Sequence, residues 1–538
     1  MLKDRRDEID WMRSVRVSMT PKQRIQRGSN EKVTPLVLFR ACMAWLPLWK
    51  PGFFYRGTRK YVYVHADNVL ATIVICLLLV GFSACGQKAV VATDSMPTLS
   101  PVVVTPTPTS VALATASPSG STAADADWTT YHLNNLRTGY VASTPDPHSL
   151  SKAWSVQLDG AVYAEPLVVG DHVIVATEGD SLYALDPQTG AVQWHTNVGT
   201  PVPLNLLPCG DINPLGITGT PVYDPASGLV FAVAEINPNA PVHILVGVNV
   251  NSGRVVVRRS ADVGGMDPRA HQQRGALTLA NGMVYIPYGG LAGDCSDYIG
   301  RIVASRTDGQ GPLLSYTVPT PREGGIWTPP GASVDAAGNL YVAVGNGAAT
   351  GGNWDHSDSI LKLSPTLELE DAFAPATWAS ENANDEDLGS QGPVLLPNGF
   401  IFTAGKSGRG YTVRATALGG VGGQVDGRTV CVSFGGASVV GTTVFVPCTN
   451  GVLQLIVDNN GQMHLGWHTS NIINGSPVVG GHTVYSLGNG TLYALAMNSG
   501  QLVAELNVGQ ATRFATPTIS GTRIFVGTYA GITAVNIA

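Results

Sequence analysis

Of the 538 residues only 13% are charged, while 63 are glycine and 35 are proline; this suits a turn-rich β protein and excludes a coiled coil or a wholly disordered chain. Residues 1–68 hold fourteen Lys and Arg against six Asp and Glu, a net +8, leaving eighteen against thirty-two and a net −14 for the remainder. An acidic body without a basic patch argues against a nucleic-acid partner, whose binding rests on neutralising phosphates, and the sequence has no phosphate-binding loop, dinucleotide-binding glycine pattern or zinc-type Cys/His spacing.

In chain order, residues 1–68 read as a basic leader or cytoplasmic tail. Residues 69–85 follow as an apolar signal or anchor segment, VLATIVICLLLVGFSAC, without a charge. Basic before, apolar in the middle and acidic after is the pattern of an export or anchor segment held positive side in. The small residues ahead of Cys85 resemble a bacterial lipoprotein cleavage box, which makes Cys85 the lipidated first residue. The run is short for a full span; an uncleaved apolar anchor is the alternative. Either form anchors the remainder to a bacterial cell membrane on its extracytoplasmic side. Residues 86–126, rich in Pro, Thr, Ser and Ala, read as a disordered tether.

From residue 127 onward the chain repeats itself. Leu182 to Leu185 in GDSLYALDPQTGAVQW return as Leu492 to Leu495 in NGTLYALAMNSGQLVAEL, and the glycine eight residues on, Gly190, returns as Gly500. NGVLQLIVDNNGQ keeps the spacing from Leu453 to Gly461, and AGITAVNIA repeats it at the chain end. Ahead of each copy stands a matching pair of apolar runs: PLVVGDHVIVATEG, ASVVGTTVFVPCTNG, PVVGGHTVYSLGNG and PTISGTRIFVGTYAG. Their lengths and β-branched content read as strands, and the Gly-Asp, Asn-Gly and Thr-Gly pairs as tight turns. Self-similarity at about forty residues marks a repeat architecture. Small four-stranded antiparallel sheets bury their faces by stacking radially. The reading is therefore an all-β, eight-bladed β-propeller over 127–538, with seven blades as the alternative. The last copy lacks its outer strand, and SLSKAWSVQL, from Ser149 to Leu158, supplies one, with Trp154 standing where Trp194 stands in its own copy. Closing the ring this way removes both exposed sheet edges. Trp154, Trp194 and Trp467 then read as packing residues between blades.

Four cysteines follow Cys85: Cys209, Cys295, Cys431 and Cys448. An even number outside the cytoplasm suggests disulfides, with three pairings open. Cys431 and Cys448 flank the first two strands of one blade and can meet across them, which leaves Cys209 with Cys295 between neighbouring blades.

The repeat LYALDPQTGAVQW resembles the pyrroloquinoline-quinone (PQQ) propeller repeat, and DWTTYHLNNLRTGY resembles the segment leading into many such propellers. CGDINPLGITGTPVYDPASGLVFAVA, RGALTLANGMVYIPYGGLAGDCSDYIGRIVAS, GGIWTPPGASVDAAGNLYVAVGNGA and DEDLGSQGPVLLPNG resemble a subgroup called PQQ-binding-like β-propellers. The quinoprotein dehydrogenases of this superfamily use Ca²⁺ to polarise the quinone and an aspartate as base. The resemblance implies Asp385 as that base, Asn346, Asp294 and Asp387 as calcium ligands, and Trp327 and Trp354 in cofactor-facing blocks. Arg274, in HQQRG, is a further candidate that can point into the central funnel. Two departures stand against this. Cys295 falls about where those enzymes place a glutamate ligand, and their adjacent cysteine pair is reduced to Cys209. Each residue also has a plain alternative: a turn at positive φ for Asn346, solvated loop positions for Asp385 and Asp387, core packing for Trp327. The expected function is thus a membrane-anchored binding or scaffold module with envelope proteins as partners. The alternative is a PQQ- and calcium-dependent dehydrogenase acting on an alcohol or sugar.

Overall fold

A computed structural model describes residues 127–469 and 473–538. The basic leader, the apolar segment with Cys85 and the tether lie outside the described residues. Eight antiparallel sheets follow one another along the chain. Blade 1 spans 167–197, blade 2 222–260, blade 3 278–317, blade 4 333–374, blade 5 394–429, blade 6 438–468 and blade 7 478–507. Blade 8 joins three strands over 518–537 to the early strand Leu150–Gln157, with Trp154 paired to Ala534. The count of eight and the closure by the Trp154 strand are as the repeat spacing predicts.

Burial follows strand position within a blade. Inner strands such as Leu167–Val169 and middle strands such as Ser181–Leu185 are wholly buried. Outer strands such as Val192–Asn197 alternate between half-buried and exposed, so only one face packs. In blades 1 and 8 the pairing register slips beside the outer-strand tryptophan, at Trp194 and at Trp154. Such a bulge re-aims a side chain, here toward the neighbouring blade.

Both disulfides are formed, Cys209–Cys295 and Cys431–Cys448. They fit an oxidising compartment.

The leading segment 127–141 has no strand-like pattern, yet it organises the axis. Its carbonyls accept inner-strand N–H groups from five blades: Val168 to Trp128 (3.1 Å), Tyr223 to Thr129 (2.8 Å), Val334 to Asn135 (2.8 Å), Val439 to Thr138 (2.8 Å) and Val479 to Gly139 (2.7 Å). Inner edges that would otherwise be unpaired are thereby satisfied. Trp128, Tyr131, His132 and Arg137 of this plug are at most 1% exposed. The Arg137 guanidinium spends its donors on Ala332 O, Thr130 Oγ1, Tyr131 O, Leu277 O and Thr278 Oγ1. Burial lowers its pKa to about 10, with the Glu165 carboxylate opposing that shift.

Candidate functional site at the mouth of the ring

Connections that lead into the inner strands, and the hairpins joining the two middle strands of each blade, open on one end of the ring. Counting four residues back from an inner strand gives Tyr163, Thr218, Arg274, Phe434 and Phe514 in blades 1, 2, 3, 6 and 8. These repeat-equivalent positions circle the axis. Beneath them a cavity of about 20 Å³, bounded by Tyr131 of the plug, Tyr163, Thr218, Thr220, Arg274 and Phe514, has room for about one water.

One wall is acidic. The short helix Trp378–Asn384 ends at Asp385, whose backbone is left-handed (φ 57°). That turn brings Asp385 Oδ1 to 2.6 Å from Lys406 Nζ, in the middle hairpin of blade 5. Asp387 Oδ2 lies 2.5 Å from the same ammonium. Asn346, in the middle hairpin of blade 4, donates its backbone N–H to Asp387 Oδ1; with the side-chain amide turned so that its nitrogen faces the carboxylate, it donates to the same oxygen at 2.5 Å. Gly345 permits this approach: a Cβ there would stand 2.4 Å from Asp387 Oδ1 and 3.1 Å from Trp327 Nε1. Burial alone would lower the Lys406 pKa, but Asp387 and Asp385 outweigh it and hold it above the usual lysine range. Below the pair, the fully buried Asp358 accepts the Leu388 N–H (2.9 Å), and burial and the Asp387 charge push its carboxyl well up. Asp294 accepts the Tyr298 hydroxyl (2.6 Å); burial and the charge of Asp387 raise it, against that bond and the Lys406 charge. Glu323 pairs with Arg322, which also reaches Asp297 at 3.3 Å.

The remainder is aromatic and cationic. Lys406 Nζ stands 5.9 Å from the Trp327 ring centroid. Trp327, Phe434 and Phe514 form a row with 6.4 Å between successive centroids. Arg513 lies 4.1 Å from the Phe434 centroid and 4.8 Å from that of Phe514, and Arg274 lies 4.6 Å from Phe514. Asp211 Oδ1 is 4.0 Å from Arg274 Nη1.

Most of the sequence candidates meet here. Asp385, Asp387, Asn346, Asp294 and Trp327 share one wall, and Arg274 stands on the other. Asn346 is not at positive φ; its turn serves Asp387 instead. Trp354 does not join them by contact. Its Nε1 donates to Ser357 O (2.9 Å), its ring lies 4.6 Å from that of His356, and it packs on the core between blades 3 and 4. Sequence reasoning missed Lys406, Glu323, Phe434, Arg513 and Phe514. The four-residue offset from the inner strands would have found two of these, since it gives Phe434 and Phe514 directly.

Calcium takes six to eight oxygen ligands. In this arrangement both oxygens of Asp387 accept from the protein's own donors, Asn346 N–H and Lys406, one oxygen of Asp385 accepts from Lys406 and one of Asp294 from Tyr298, and the Lys406 ammonium already supplies the positive charge beside Asp385 and Asp387. Among the described residues no three His, Cys, Asp or Glu side chains come together in a metal-holding group. The residues as placed do not fit the ion.

The PQQ-repeat family described as outer membrane protein assembly factor BamB matches residues 143–348. No curated protein matches the chain. Among solved structures it is similar to a quinohemoprotein alcohol dehydrogenase from Comamonas testosteroni, with TM-score 0.60 and 15% identity over 76% of this chain and 80% of that one. It is similar to a europium-containing methanol dehydrogenase at TM-score 0.59 and 15% identity, over 76% and 90% of the two chains. It is similar to BamB from Moraxella catarrhalis at TM-score 0.51 and 15% identity, over 72% and 99%. At such identities the likeness concerns the fold.

Proposed function

We propose, for a chain that is a PQQ-like β-propeller by repeat and by fold, that it acts as a membrane-anchored extracytoplasmic binding module whose ligand site is the mouth of the ring. The observation that carries this reading is Lys406. Its ammonium lies between Asp385 and Asp387, the carboxylates that a metal-dependent dehydrogenase would need free. A lysine held there supplies charge for recognition without a divalent ion. The half-buried aromatic row beside it offers apolar contact, and the flanking charges fix orientation, which is the make-up of a ligand site. The match to an assembly-factor family supports a protein or peptide as the ligand. Anchoring rests on the apolar segment ending at Cys85; Cys85→Ser is expected to move the protein from the membrane fraction to the soluble extracytoplasmic one.

A second reading is favoured by one observation. Trp327, Asn346, Asp385, Asp387 and Asp294 converge on one wall, as a PQQ- and calcium-dependent alcohol or sugar dehydrogenase requires. Adding PQQ and Ca²⁺ to the purified propeller separates the two. The binding module gives no bound-quinone absorbance band and no dye reduction with alcohols or sugars. A band with dye reduction, abolished in Asp385→Ala or Asp387→Asn, would overturn the first reading.

A further inference from the structure

We propose that Cys209–Cys295 is a redox-cleavable strap at the mouth. Oxidised, it holds the connection between blades 1 and 2 down, with Asp211 beside Arg274; reduced by a dithiol, it lets that connection lift. The inference concerns access to the mouth and its charge, whatever ligand the mouth takes.

The two disulfides stand in different places. Cys431 and Cys448 are 17 residues apart, and they are 9% and 1% exposed. Cys209 and Cys295 are 86 residues apart and join two segments that both open on the mouth, the connection leading into blade 2 and the middle hairpin of blade 3. Cys295 is exposed and Cys209 half-buried, so an attacking thiolate reaches this bond before the other. One thiolate of an extracytoplasmic dithiol attacks Cys295 Sγ, the Cys209–Cys295 bond breaks, and Cys209 leaves as a thiolate that takes a proton from solvent. The second thiol of the reductant then displaces Cys295 and closes a disulfide of its own. The protein gains two electrons and two protons, and the dithiol is oxidised.

The strapped segment is built to move as one piece. Val202 and Leu215 pair by two backbone hydrogen bonds of 2.8 Å, so residues 203–214 form a flap on a paired base. Asn213 Oδ1 accepts the Leu204 N–H across it (3.1 Å). Val202, Leu207, Ile212 and Leu215 cluster with one another and with Leu291 of the blade 3 hairpin. Toward blade 3, Arg269 Nη2 donates to Leu206 O at 3.4 Å, and Asp211, with 57% of its side chain exposed, stands 4.0 Å from Arg274. Contacts so long and so exposed contribute little, and the covalent bond is the firmer link. The Asp211 charge also acts on Arg513, opposing the burial and the Arg274 charge that lower its pKa. The flap thus carries counter-charge for both guanidiniums on the Phe514 ring. Lifting it takes that charge away, and the mouth becomes wider and more positive while the blades stay in place.

The test treats the purified, oxidised protein with dithiothreitol under native conditions, then alkylates it and maps the cysteines by mass spectrometry. Cys209 and Cys295 should be alkylated while Cys431 and Cys448 stay bonded. After this selective reduction, amide hydrogen exchange over residues 203–214 should quicken about tenfold, with near-ultraviolet circular dichroism retained. Phenylglyoxal should modify Arg274 faster, because withdrawing a carboxylate both uncovers the guanidinium and lowers its pKa. Asp211→Asn should speed that labelling in the oxidised protein without quickening the flap's exchange. Cys209→Ser with Cys295→Ser should behave as the reduced protein does without reductant; if that variant does not fold, reduction of the unaltered protein still decides. Equal reduction of both bonds, or exchange over 203–214 unchanged by reduction, overturns the proposal. So does loss of the circular dichroism signal on reduction, which makes the bond a structural staple. The quinone titration bears on the ligand reading alone, so the two fail separately.

Discussion

The indole of Trp154, on the strand that closes the ring, lies flat against Gly190 in blade 1: a Cβ on Gly190 would stand 2.7 Å from two of its ring carbons. Trp154 Nε1 donates to Pro187 O in the same turn (3.2 Å). The contact recurs as Trp194 on Gly253 with Nε1 to Val250 O (2.7 Å), and as Trp467 on Gly500 with Nε1 to Met497 O (2.9 Å). The junction between the last blade and the first is thus built like the junctions inside the ring. Gly190 has φ 75°, so Gly190→Ala combines backbone strain with a clash against the ring and should cost about 2–4 kcal/mol. Trp154→Ala opens the same junction and should cost about 3 kcal/mol. Urea unfolding measures both, and the double variant should lose less than the sum, because the two residues share one contact.

The plug makes a separate prediction. Arg137 is 1% exposed and ties Thr130 and Tyr131 of its own segment to Leu277 and Thr278 of blade 3 and Ala332 beside blade 4. Arg137→Met keeps the stem but leaves those acceptors, and the buried Glu165, without their cation. A loss of about 3–5 kcal/mol is expected. Hydrogen exchange should show the inner-strand amides of Val334 and Val439, which bond to the plug, exchanging faster in the variant.

These contacts show what a sequence can and cannot disclose. The Leu182–Gly190 spacing recurs because each blade needs an apolar middle strand followed by a positive-φ turn under a neighbour's side chain, so the ring and its closure are written in the repeat. The plug follows no period: its carbonyls bond to strands from 168 to 479, and DWTTYHLNNLRTGY has no alternation to reveal that. The seven-residue helix Trp378–Asn384 is too short for a helical period to stand out, so ENANDED reads as loop. Lys406 sits in AGKSGRG, which reads as a turn. Nothing local to it announces Asp385 and Asp387, which reach it from the connection between blades 4 and 5.

Blade 2 supplies a pH dependence. His243 is fully buried, with Nδ1 2.7 Å from Asp262 and Nε2 3.5 Å from Glu235. Burial alone would lower its pKa, but the hydrogen bond to Asp262 and the nearby Glu235 carboxyl raise it to about 9. The folded value lies above the unfolded one of about 6.5, so the imidazolium contributes stability in full below about pH 6.5, and that contribution is lost as pH rises through about 9. His132 in the plug works the other way. Burial and Arg137 lower it to about 3, so its contribution is present above about pH 6.5 and lost as pH falls toward 3. Melting curves from pH 5 to 10 should therefore decline on the alkaline side. In His243→Asn that alkaline decline should be shallower while the acid limb is unchanged; an unaltered alkaline slope would remove His243 as its source.

Lys406 gives the sharpest test of how the acidic wall is balanced. Asp387 is nearly buried, with 3% of its side chain exposed, so its charge is tolerable because an ammonium stands beside it. Lys406→Met keeps the side-chain stem over Trp327 and removes that ammonium, leaving Asp385 and Asp387 as uncompensated neighbours. A loss of about 2–3 kcal/mol is expected, somewhat below the cost of breaking a fully buried pair. It should shrink in acid, as Asp385, whose carboxyl burial already holds above the usual range, takes up a proton. The same substitution frees oxygens that the lysine had engaged, so millimolar Ca²⁺ should raise the melting temperature of Lys406→Met while leaving the parent protein unmoved. If calcium stabilises the parent equally, the lysine is not what holds the site in place of a metal.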